Sequence, residues 1–260
     1  MRRLLHYTLV TAVATATTGL AAAADLSADQ VRERLAAASA QAPADLSGKD
    51  LSDLDLSRLD FKRARLVGTS LFGTRLVSAN LRGADLSGAN LNGAWLMGTD
   101  FGDARLVGAS LLSVVVLGGE VKTRPSFAGA DLSGARIIAD FPGVDLSRAK
   151  LGKANLGVNI KNQGMGQMRT DLSSAKLAGA DLSGADLNRS LLAFADLRDA
   201  NLSGANLFRA KLTGTDFSGA DVSGADFTEA DLEGAIFKGA KGIDAAKGMN
   251  QAVNRDKAIF

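Results

Sequence analysis

The 260-residue chain has no cysteine, one histidine (His6), one tyrosine (Tyr7), one tryptophan (Trp95) and three prolines. Without cysteine there is no disulfide, no thiolate nucleophile and no thiolate metal ligand. With its single imidazole at position 6, the rest of the chain lacks the base of a triad-type nucleophilic site and the commonest zinc ligand. An excess of either charge is missing too. Thirty Lys+Arg against 28 Asp+Glu leave a formal +2, which is no signal for a nucleic-acid partner.

What the chain does have is a five-residue unit. Ala84-Asp85-Leu86-Ser87-Gly88 and Ala89-Asn90-Leu91-Asn92-Gly93 are two copies. Taking the third residue as centre, centres fall at Leu46, Leu51, Leu56, Phe61 and every fifth residue to Val121. A second run goes from Leu172 to Phe237, and shorter pieces centre on Phe127, Leu132, Ile137 and on Leu146, Leu151, Leu156. Of these 36 centres 32 are Leu or Phe, so the repeat governs any reading of the fold. Side chains alternate along extended chain, which turns the small first residue and the Leu or Phe inward and the Asp or Asn outward. The fifth residue, often Gly, permits a tight turn. A period of five suits neither a helix nor a long strand. The chain turns a corner at each unit and stacks successive turns over one apolar column. Column residues expected from this are Leu46, Phe61, Leu66, Leu81, Leu86, Leu91, Phe101 and Leu106 in the first run. Leu182, Leu187, Leu202 and Phe217 continue them in the second.

The A-(D/N)-L-x-G pattern resembles the pentapeptide-repeat proteins, with Ala180-Asp181-Leu182-Ser183-Gly184 and Ala200-Asn201-Leu202-Ser203-Gly204 as near-ideal copies. The resemblance covers roughly residues 44 to 240. It implies an all-β fold, a right-handed quadrilateral parallel β-helix of four pentads per coil, or about nine coils for 36 units. It says little about function, because the repeat itself carries no chemistry.

The flanks read differently. Met1-Arg2-Arg3, an uncharged apolar stretch from Leu4 to Leu20 and Ala21–Ala24 form a secretory signal peptide over 1–24, with cleavage after Ala24. Loss of Arg2 and Arg3 takes Lys+Arg from 30 to 28, equal to Asp+Glu, and His6 and Tyr7 leave with them. Residues 25–43 are expected to hold an N-terminal capping helix and linker: Ser27 with Gln30 fits a capping box and Leu26 with Val31 a hydrophobic staple. The solenoid spans 44–240, with an irregular insertion at about 157–170. A short helical or irregular C-terminal cap occupies 241–260.

Sorting outward residues by every fourth pentad gives faces. One stacks Asp45, Arg65, Asp85 and Arg105, a charge ladder suited to register and solubility. A second stacks Asp60, Asn80, Asp100 and Glu120. A third puts Arg75, Trp95 and Val115 beside Val77, Met97 and Leu117, an apolar face that is either covered by the Gly157–Arg169 loop, through Ile160, Met165 and Met168, or binds a partner. Between Val121 and Leu172 the phase breaks, with one residue gained before Phe127 and one lost before Leu146.

Every carboxylate in the runs sits where the repeat dictates, so none is singled out for acid–base work. The Asp/Asn rows also lack the glycine-rich motif of calcium-binding β-rolls. No catalytic residue, no cofactor and no metal site are expected. The function expected is an exported structural or protein-interaction scaffold, periplasmic or secreted. Its partner is another protein or an envelope component, with a homodimer open, and neither nucleic acid nor, after cleavage, residence in the membrane is expected. The alternative, implied by family members that imitate duplex DNA and bind topoisomerase, requires an acidic rod and fits the near-zero mature charge poorly.

Overall fold

The repeat builds its ladder one unit at a time. At Leu86 the N–H donates to the Arg105 carbonyl (2.7 Å), the Asp85 N–H to the Ala64 carbonyl (2.9 Å), and the Ala89 N–H closes the corner on the Leu86 carbonyl (2.9 Å). Gly88 sits in that corner at φ 68°, where a Cβ is disfavoured. The Asp85 Oδ1 accepts the Ser87 N–H at 3.0 Å. Asp or Asn ahead of the centre is therefore the residue that holds the next turn.

This computed structural model describes residues 24–117, 123–158 and 169–260. Bridges in parallel register join coils in four rows, which begin at Asp45, Asp50, Asp55 and Asp60 and end at Lys241, Lys247, Val253 and Ile259. Each row has ten rungs, so at a spacing of ~4.8 Å the column is about 43 Å long. Two stretches qualify as longer strands, β1 (Ser110–Leu112) and β2 (Arg136–Ile138), paired parallel. All twelve expected column residues are buried, at 0–1% exposure. The small interior positions are not all alanine. Thr69, Thr74, Thr99 and Thr215 are buried there and each donates its hydroxyl to a carbonyl 23 residues back, which satisfies a polar group in an apolar column.

A helix closes the first coil. In α1 (Ala28–Ala36) the Ser27–Gln30 capping box is complete. Val31 is fully buried and Leu26 nearly so, and Asp25 pairs with Asp50 through two bonds of 2.8 Å.

Three expectations are corrected. Phase is already lost at Leu117, since the Gly98 N–H bonds the Thr123 carbonyl. Asp100 bridges Ser126, the Phe101 ring stacks on Phe127 at 4.7 Å and 2°, and Glu120 and Val121 lie outside the described residues. That coil takes 26 residues, and the stacked rings fix where it closes. The second face therefore runs Asp60, Asn80, Asp100, Ser126 and does not stay acidic. Residues 241–260 do not leave the column for a helical or irregular cap. They add a tenth coil with rungs six residues apart, at Lys241, Lys247, Val253 and Ile259. The extra residue is absorbed in single 3-10 turns, Ile243–Ala245 and Arg255–Lys257. The signal segment and the core of the 157–170 insertion lie outside the described residues.

Exposed ion pairs on the Asp45 row are loose, Arg65–Asp45 at 3.9 Å and Arg105–Asp85 at 3.8 Å. Tighter pairing elsewhere sets the acid response. The Arg198 guanidinium grips Asp196 at 2.8 and 2.7 Å and holds its carboxyl below the usual range. The Ser223 hydroxyl and N–H do the same for Asp221. A depressed native pKa contributes stability that is complete above the unfolded value of ~3.9 and lost as pH falls through the native one. The urea midpoint should be flat from about pH 5.5 to 8, since His6 is the only histidine, and fall below about pH 4. A midpoint that moves between pH 6 and 7 contradicts this.

Candidate interaction face

The Asp55 row differs from the other three in chemistry and in continuity. Asp55, Arg75, Trp95 and Val115 are bridged rung on rung. Arg75 Nε lies 3.8 Å from Asp55 Oδ2, and its guanidinium sits 4.8 Å over the Trp95 ring. A cation over an indole at this exposure contributes ~0.5–1 kcal/mol and holds the ring along the row. Trp95 is 38% exposed.

Beyond Val115 the ladder stops. Among the described residues, Val115 and Asp140 are the one pair of successive rungs in the four rows without a bridge. A cleft of roughly 220 Å³ opens there, lined by Val114, Val115, Val116, Leu117, Asp140 and Pro142. The row resumes with Asp140 bridged to Asp171.

The structure separates the six residues expected on this face. Arg75, Trp95 and Val115 share the row. Val77 is half-buried beside them, next to the Ser78 N–H that bonds the Met97 carbonyl at 2.8 Å. Met97 is 3% exposed and lies beneath the surface. Leu117 is displaced. By the pattern of the other coils its carbonyl belongs to the Gly98 N–H, but that N–H bonds Thr123 at 2.7 Å, and Leu117 is left 43% exposed. The cause is the 26-residue coil, six residues longer than its predecessor. The fold-back of Ile160, Met165 and Met168 falls on residues outside those described.

Phe72, Asp140 and Pro142 escaped the sequence reading. Phe72, 51% exposed, precedes the corner that leads into Arg75. It stands at a fourth position, where the unit mostly has a polar residue, and that was its only signal. Asp140 and Pro142 lie in the stretch where the phase is lost. Both over-long coils border this side: 26 residues separate Asp100 from Ser126 at one edge, and 31 separate Asn155 from Asp186 at the other.

Eight copies of the pentapeptide-repeat family model match the chain, over residues 44–73, 64–103, 74–111, 168–204 and 205–241. The chain belongs to the pentapeptide-repeat family. The four parallel rows are accordingly the family's right-handed quadrilateral β-helix. Among solved pentapeptide-repeat structures, HetL of the cyanobacterium Nostoc sp., involved in heterocyst differentiation regulation, is 30% identical. The match covers 90% of this chain and 94% of HetL, with a TM-score of 0.32. Rfr23 of the cyanobacterium Cyanothece is 28% identical over 49% of this chain and 90% of its own, at 0.39. QnrB1, a plasmid-mediated fluoroquinolone resistance protein, is 19% identical over 80% and 88%, at 0.43. No curated protein matches the chain in sequence.

Proposed function

We propose that this pentapeptide-repeat protein is an exported, non-catalytic scaffold that docks another protein on its Asp55 side. One observation carries the reading: Trp95, Val115 and Leu117 lie exposed or half-exposed against the one unbridged rung among the described residues. An aromatic anchor beside an apolar cleft is the composition of an interface centre. An open stretch of strand edge adds main-chain donors and acceptors for a partner segment. Elsewhere the outward positions carry mainly Asp, Asn, Ser and mixed charge, which keep a rod soluble, with Phe194 a separate exposed ring.

The basic start, apolar stretch and Ala21–Ala24 support export to the periplasm or medium. Among the described residues no helix is long and apolar enough to cross a membrane. The Arg65–Asp45 and Arg105–Asp85 pairs interrupt what would have to be an acidic surface in a DNA-like rod.

Trp95→Asp tests the docking. Immobilised wild-type protein should retain an envelope protein that Trp95→Asp releases, with the two melting at the same temperature. Retention of the same protein by Trp95→Asp overturns the assignment of the face. Intact mass of the protein should place its N-terminus at or near Asp25, and full-length protein in the cytosol overturns export.

A further inference from the structure

A second feature occupies the corner between the Asp50 and Asp55 rows, in the later half of the rod. Arg189 and Arg209 fill the left-handed corner position of successive coils, at φ 59° and 56°. Arg169 precedes Asp171 by two residues, as Arg189 precedes Leu191 and Arg209 precedes Lys211. The ladder fixes their register. The Leu191 N–H donates to the Thr170 carbonyl and the Lys211 N–H to the Ser190 carbonyl, both at 2.9 Å. Three arginines thus stand on consecutive rungs, spaced by ~4.8 Å. With Lys211 and Glu229 they line a cleft of roughly 260 Å³.

The charges in this cleft are only partly matched. Arg209 Nε is 2.6 Å from Glu229 Oε2, and Lys211 Nζ is 3.1 Å from Asp231 Oδ2. Arg169 and Arg189 form no ion pair among the described residues. The Nε of Arg189 is buried and has no hydrogen-bond partner. Asp171, two residues beyond Arg169, accepts the Ser173 N–H at 2.8 Å. A buried cationic donor without an acceptor costs more than an ordinary lost hydrogen bond, and stacked like charges repel. The corner conformation adds to this, since glycine is the residue that takes it freely. Side chains placed at such a cost around one cleft favour an anion between them.

We propose that the cleft binds a phosphate group. Planar guanidinium forks match tetrahedral oxyanions, each fork spanning two oxygens. A phosphate monoester offers three oxygens to the Arg169 and Arg189 forks, while a carboxylate offers two and leaves a donor unmet. Arg209 is shared: Glu229 pairs with it and competes with an incoming phosphate. The site uses none of the Trp95 strip, so Trp95→Asp leaves it intact.

Calorimetric titration of the full chain with inorganic phosphate tests the site. Binding should saturate at about one equivalent, weaken at least tenfold in Arg189→Gln and tighten in Glu229→Gln, which frees Arg209. Arg82→Gln, whose arginine pairs with Asp103 at 2.6 Å on another side, should bind phosphate like the wild type. Flotation with phosphatidic acid vesicles, against phosphatidylcholine alone, separates the sources. Co-flotation lost in Arg189→Gln identifies a lipid headgroup, and phosphate binding without co-flotation identifies a free phosphate. Equal phosphate affinity in wild type and Arg189→Gln, equal weakening by Arg82→Gln, or no binding of either probe overturns the proposal.

Discussion

Phe101→Ala is expected to destabilise the rod by about 3–5 kcal/mol, the cost of emptying a buried aromatic site. The ring is fully buried and lies flat on Phe127, 4.7 Å away and 2° from parallel. Phe127 in turn meets Phe141 at 5.6 Å. Phe101 does more than fill volume, because the stack joins the two ends of the 26-residue coil, where the five-residue phase is broken. In a solenoid each coil is stabilised chiefly by its neighbours, so a weak joint there divides the rod. The denaturation curve of Phe101→Ala should therefore broaden or split as well as shift. Ser203→Ala is the control. The Ser203 N–H donates to Asn201 at 3.0 Å and its carbonyl accepts the Gly184 N–H at 2.9 Å. The variant keeps both backbone bonds, so its midpoint should stay within about 0.5 kcal/mol of wild type. Equal losses in the two variants would show that the inward and outward assignment does not set stability.

Val31→Asp is expected to detach the lid of the first coil. Val31 is fully buried against the column end, and an unpaired carboxylate in that place costs several kcal/mol unless the helix lifts away. Lifting α1 exposes Leu46, Leu51 and Leu56 from one side. It also uncovers the backbone groups of the first coil, including the Asp50 N–H and carbonyl that Asp25 now occupies. Uncovered strand edges pair with one another. Light scattering should show concentration-dependent association of Val31→Asp, with loss of the helical signal and much of the β signal retained. A variant that stays monomeric and melts like wild type would mean that α1 is not what closes the column. Glu33→Ala, at an exposed helix position, should behave like wild type.

The contrast between these two sites shows how far local pattern reaches. The capping box at Ser27 and Gln30 is a matter of three residues, and it forms as its spacing implies. So do the burial of Leu86 or Leu182 and the outward place of Asp85, because each follows from alternation within one pentad. The C-terminal coil left a signal of its own. Gly242, Gly248 and Asn254 all take positive φ and lie six residues apart, a period that a search for fives passes over.

The candidate sites were legible only in part. Trp95 and Arg75 were readable as neighbours because an uninterrupted run of twenty-residue coils puts them on adjacent rungs. Leu117 was misplaced because its partner in the ladder is decided at Thr123, beyond an excursion whose length sets no register. The unbridged rung between Val115 and Asp140 has no local signature at all, being the mismatch between a 26-residue coil and the following one of 19 residues.

Taken by itself, the sequence determined the repeat, the family, the four-sided coil, the identity of the column and the helix that covers its start. Each of these is encoded within a few residues and then copied. The tertiary structure decided which residues meet across the breaks in phase: Phe101 on Phe127, the gap beside Val115, the closing coil of six-residue steps and the Arg169–Arg189–Arg209 stack. Those pairings depend on where a long excursion returns. That point is chosen by ring stacking and ladder bonds between residues distant in the chain, where a five-residue code has nothing to say.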